Sequence, residues 1–243
     1  MVDNMKKVHR LFILIGIFAI AMGFLEAIVV VYLRQIYYPM GFDFPMIILS
    51  PSMYSIELLR EAVTLIMLVT IGIIAGKNKL QKFSYFIFCF GVWDIFYYVG
   101  LKSLLNWPPS FLTWDVLFLI PVPWVGPVLA PVICSLTMIF LAMCIVYPQE
   151  KGYIISLKFR EWSLILNGSF IILYTFTWDY INIIIEGGFL GNSWTLRTDE
   201  RFNQIISEFI PTCYNWIMFT TGEILILLAI VLILANVKSQ KQL

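Results

Sequence analysis

The chain has 243 residues, of which 60 % are hydrophobic and only 13 % charged, with a formal net charge of +1. Its mean hydropathy is +0.88. A soluble domain of this size would need many more charges on its surface, and a near-neutral balance leaves no electrostatic footprint for nucleic acid. The composition points to a chain whose solvent is itself apolar, an all-α, multi-pass membrane protein.

Apolar runs in chain order predict six transmembrane helices, at about 11–33, 51–76, 84–105, 125–147, 162–185 and 213–235. Each is long enough to cross roughly 30 Å of hydrocarbon at about 1.5 Å per residue. The first run ends in VVVYLR rather than in a small-residue cleavage site, so it is expected to be a retained helix. Ser50 followed by Pro51 has the form of an N-cap and first helical residue for the second. Between the third and fourth runs, 106–131 is rich in proline and tryptophan, and its apolar stretch VLFLI is too short to span. Two readings fit: a re-entrant segment buried against the protein, or a rigid loop in the headgroup region. A short amphipathic helix is expected around 200–209. No linker or low-complexity stretch divides the chain, so 1–243 is expected to form one transmembrane domain.

Orientation follows from lysine and arginine. Lys6, Lys7, Arg10, Lys77, Lys79, Lys82, Lys151, Lys158, Arg160, Lys238 and Lys241 fall on one side, eleven of the sixteen basic residues. That side alternates through all six helices and predicts cytoplasmic N- and C-termini in a cell membrane. The opposite side holds ten of the eleven prolines, together with Trp107, Trp114, Trp124 and Trp194.

Several cofactor classes lack their ligands. The single histidine, His9, lies in the basic N-terminal stretch, which argues against histidine-ligated haem or zinc and against a Ser–His–Asp triad. Cys89, Cys134, Cys144 and Cys213 form no CxxC pair and suit apolar packing. No cofactor or metal is expected, although hard cations can be held by carboxylates alone.

The candidate site rests on ionisable residues inside the helices. Each costs roughly 2.5–3.5 kcal/mol on insertion scales, so each should face the bundle interior or water. They are Glu26, Glu57, Arg60, Glu61, Asp94, Asp179 and Glu223. Counting about 1.5 Å per residue from the helix ends places Glu26, Glu61, Asp94, Asp179 and Glu223 roughly 10–15 Å below the outer surface, in one layer. Arg60 can pair with Glu57 one turn away, and Arg34 is a candidate partner for the remaining acid. Trp93 and Trp178 precede Asp94 and Asp179 and could form an aromatic wall beside a cation. Asp115, after Trp114, is expected to cap or turn the chain.

This pattern favours a binding or transport protein with an outward-facing acidic pocket for a cation, a proton or a small polar solute. A membrane-embedded enzyme acting on a lipid or isoprenoid is the second expectation, and requires an apolar cavity with two acids at its polar end. The third is a non-catalytic subunit or assembly factor in which the acids pair internally. The expected partners are the lipid bilayer and such a ligand, with no nucleic acid, and protein partners are left open.

Overall fold

The computed structural model describes residues 2–189 and 199–237; Trp194, Arg197, Lys238 and Lys241 lie outside the described residues. Among the described residues there are seven helices: α1 Val2–Tyr37, α2 Pro51–Ala75, α3 Lys79–Leu105, α4 Leu129–Glu150, α5 Phe159–Glu186, α6 Glu200–Glu208 and α7 Trp216–Val237. All but α6 are long and apolar enough to cross a membrane.

Local chemistry explains several helix ends. Ser50 Oγ accepts from the Met53 amide and Pro51 occupies the first turn, as the sequence predicts. Asn78 and Asp199 cap α3 and α6 in the same way, accepting from Gln81 and Phe202. Helix α1 begins well before its apolar run, because 2–10 contains neither glycine nor proline and hydropathy marks only the lipid-facing part of a helix. It stops before Pro39, where Gly41 takes φ +106° to close a turn onto the Tyr38 carbonyl.

The expectation of an all-α chain fails at one place. Residues 106–131 contain an antiparallel hairpin of β1 Trp114–Phe118 and β2 Trp124–Pro127. Asp115 pairs with Gly126, and an irregularity between Val116 and Phe118 precedes a turn holding Pro121 and Pro123. Two further amide bonds, Val128 N–H to Thr113 O and Leu129 N–H to Phe111 O, lead directly into α4. Helix α4 therefore starts at Leu129, later than hydropathy suggests.

Helix α3 is the hub, packed by α1, α2 and α4, while α5 pairs mainly with α7 and with β2. The two groups meet where α4 touches α7 and β2 touches α5. The start of α1 lies with the end of α4 (His9 by Tyr147), Lys77 pairs with Glu150, and Asn236 bonds Glu161. These contacts gather the start of α1, the end of α7, the α2–α3 connection and the α4–α5 connection at one "terminal end". The hairpin and the α1–α2 connection occupy the opposite "hairpin end".

Polarity is inverted relative to a soluble bundle. The buried stripe of α2 is Glu57, Glu61, Thr64, Leu68 and Gly72, whereas Ile56, Leu59, Ile66 and Ile74 are exposed. Such helices gain little by hiding apolar surface from lipid, so close approach at small residues holds them together. At the α5–α7 crossing a Cβ on Gly222 would lie 2.7 Å from Ile172 Cγ1 and 2.8 Å from the Gly168 carbonyl, whereas one on Gly16 meets nothing within 4 Å. Gly222→Val should cost about 1–3 kcal/mol and lower the melting temperature in detergent, while Gly16→Val should leave it unchanged.

Candidate functional site

Glu26 of α1, Glu57, Arg60 and Glu61 of α2, and Asp94 of α3 line one cavity of about 180 Å³. Trp93 belongs to the same wall, and Arg34 and Asp115 complete the charged lining. Five carboxylates thus surround two guanidiniums. Tyr38, Phe42 and Ile47 of the α1–α2 connection and Val116 to Leu119 of β1 and its turn close the other sides.

Two cationic centres organise the acids. Arg60 donates through Nε to Glu57 at 2.9 Å, pairs with Glu26 and lies 4.0 Å from Glu61. Thr64 adds a hydroxyl bond to the second oxygen of Glu26 at 3.3 Å. Both oxygens of Glu61 accept the Leu119 amide, at 3.0 and 2.9 Å, so α2 grips the backbone of the hairpin turn. Asp94 accepts from Ser135 of α4 at 2.7 Å.

The second centre is Arg34, which donates to Asp115 at 3.0 Å with both residues buried. Its guanidinium lies over Trp107 at 3.7 Å and over Phe42 at 4.4 Å. The ring faces offset part of the cost of burying this charge. Asp115 also accepts the Val116 amide at 2.9 Å. Despite Arg34, burial dominates and pushes the Asp115 carboxyl up to about 6.

The structure places five residues differently from the sequence-based expectation, Glu223 among them. Arg34 serves Asp115 rather than Glu57 or Glu61, because α1 carries it up to the hairpin while Arg60 already occupies the acids of α2. Asp115 is a buried strand residue and not a turn or cap; the aspartate in a proline-bracketed apolar stretch was the available signal. Asp179 lines neither this cavity nor the second one described below, because α5 packs on α7 and β2 and not on α1 or α2. Trp178 is 39 % exposed and packs edge-on against Tyr174, so it is no wall of this cavity. Shared depth does not place two helices on the same side of a bundle.

Glu223 of α7 lies elsewhere again. With Asp94 it lines a second cavity of about 390 Å³ between α3, α4, α5 and α7, and Oε2 accepts from Thr137 at 2.8 Å. Trp93, Asp94, Leu117 and Phe118 belong to both linings and form the partition between them.

Among the described residues no three His, Cys, Asp or Glu side chains are placed to hold one metal ion. The acids are spread around the cavity, with Glu26 and Glu57 sharing Arg60, and the carboxylates outnumber the guanidiniums five to two. Such a site favours protons or an additional cationic group. No protein-family model matches the chain, and neither the curated proteins nor the solved structures compared with it contain a match.

Breaking a buried ion pair from one side leaves an uncompensated charge and costs about 3–5 kcal/mol, whereas replacing both partners by apolar residues costs far less. Arg34→Leu and Asp115→Leu should each destabilise strongly in thermal melts, and the double variant should recover most of the loss. Burial raises the Asp115 carboxyl, so the stability linked to its protonation is present below about pH 4 and is lost as pH rises through about 6. The melting-temperature difference between wild type and Asp115→Asn should therefore change across this window and be flat above pH 7.

Proposed function

We propose that this protein binds a cation at the acidic cavity and transports it or senses it across a cell membrane. The observation that carries the reading is the lining itself, five carboxylates and two guanidiniums around one small cavity between α1, α2, α3 and the hairpin. Ion pairing alone does not favour such a cluster, because desolvating the charges offsets their attraction. Arg60 acts as a resident cation: a ligand entering between Glu26, Glu57 and Glu61 displaces or shares it. Tyr37, Tyr97 and Trp93 present ring surface to a small organic ammonium group, and a proton needs only the carboxylates.

The orientation belongs to this proposal. Lys6, Lys7, Arg10, Lys77, Lys79, Lys82, Lys151, Lys158 and Arg160 all lie at the terminal end, which supports a cytoplasmic terminal end. The acidic cavity then lies in the outer half of the membrane, beneath the α1–α2 connection, and the hairpin is a segment that enters that half without crossing.

Titrating the purified protein in nanodiscs with methylammonium chloride, by calorimetry and by pH-electrode measurement of proton release, tests the reading. Glu57→Gln and Asp94→Asn should weaken binding about tenfold or more, and Asp179→Asn should leave it unchanged. Neither methylammonium heat nor displaced protons in the wild type, or identical titrations in all variants, would sink the proposal. In a Cys213→Ser background, an impermeant maleimide should label Phe111→Cys in intact cells and Lys151→Cys only after permeabilisation.

A further inference from the structure

The bundle leaves a seam between α3 and α5. At the terminal end Phe83 meets Trp162, with ring centres 5.6 Å apart. At the hairpin end Trp124 of β2 stacks on Phe176 of α5 at 6.1 Å and 13°. Between these two closures lies the cavity of about 390 Å³, within the range of about 300–1,000 Å³ usual for small-molecule sites. Its wall is almost wholly apolar, with Leu141, Ile165 and Ile172 among the residues that form it.

Ser169 belongs to this wall and is exposed on the flank of the bundle. It lies ten residues into the 28-residue α5, about 15 Å from the start of the helix and so near mid-membrane depth. The mouth of the cavity therefore faces the hydrocarbon core. A molecule dissolved in the bilayer can reach it from the side, and a polar solute cannot.

The polar groups of the cavity are incompletely matched. Glu223 Oε1, Trp93 Nε1 and Trp124 Nε1 are buried with no hydrogen-bond partner among the described residues. Glu223 and Trp93 are each 6 % exposed. A buried donor or acceptor left unpaired is costly, and groups left so in a native fold call for a partner. Asp94 supplies a second carboxylate to the same wall.

A hydroxyl is a single group that both donates to a carboxylate and accepts from an indole N–H. A carboxylate or phosphate headgroup would meet two acids, and a quaternary ammonium has no proton to donate. We propose that this cavity binds a long-chain alcohol, which enters from the bilayer between α3 and α5 and places its hydroxyl at Glu223 and the tryptophan N–H groups. This site is separate from the acidic cavity and would stand if that cavity bound nothing.

The test uses the whole protein in nanodiscs with tritiated geranylgeraniol and tritiated hexadecanol as probes. Saturable binding near one molecule per chain is expected for at least one, with preference for the branched or straight chain identifying an isoprenoid or fatty-alcohol source. The alcohol should bind about tenfold tighter than the matching hydrocarbon, and Glu223→Leu should erase that preference. Ser169→Trp, at a lipid-facing position that leaves the core intact, should abolish binding without lowering the melting temperature. Glu57→Gln should leave alcohol binding unchanged, which separates this site from the acidic one. Absence of saturable binding, equal affinity for alcohol and hydrocarbon, or full binding by Ser169→Trp would overturn the proposal.

Discussion

A backbone that leaves the helical state among apolar surroundings must find partners for its N–H and C=O groups inside the protein. Residues 106–131 leave the helical state, because three prolines within 121–127 prevent a helix there, and the buried part of that backbone, around Asp115, needs such partners. The hairpin ladder satisfies part of the backbone, and Glu61 takes the Leu119 amide that the turn would otherwise leave open. Asp115 then fixes the strand to Arg34 of α1. Two carboxylates thereby tie a non-helical segment to two different helices, and the acidic cavity is the space these ties enclose. Glu57, Arg60 and Glu26 are drawn into the same place because Arg60 is one residue from Glu61 on α2.

The hairpin also decides how the two halves of the bundle meet. On one side β1 walls the acidic cavity; on the other, β2 stacks Trp124 on α5 and closes the hairpin end of the α3–α5 seam. Trp93 and Asp94 of α3 sit at the partition, each contributing to both linings. A polar compartment and an apolar one therefore share a wall only a few side chains thick. The polar one is covered by the α1–α2 connection, and the apolar one reaches the flank of the bundle at Ser169.

Helix packing elsewhere follows from the solvent. With lipid on the outside, apolar side chains such as Leu59 and Ile74 are left exposed, and close approach occurs at Gly91, Gly168 and Gly222. Those contacts are short-range and strict in shape, so they set helix pairs individually. They do not close the space between α3 and α5, which share no such crossing, and that is why a cavity persists there.

The six spanning helices, the Ser50 cap, the short α6 and the gathering of basic residues at one end follow from sequence alone, because hydropathy, capping chemistry and charge are local properties. So does the pairing of Arg60 with Glu57, which helical periodicity dictates. Which acids share a cavity was not legible: depth along a helix is readable from residue number, but the side of the bundle a helix occupies is not. Glu26, Glu57, Glu61 and Asp94 meet because α1 and α2 both pack on α3, whereas Asp179, at similar depth, goes with α5 to the far side. The partnership of Arg34 with Asp115, eighty-one residues apart, likewise depends on the hairpin folding back over α1. Sequence determined that costly charges lie inside an apolar bundle; the tertiary packing of helices around α3 decided which of them face one another, because only long-range contacts fix the rotation and neighbours of each helix.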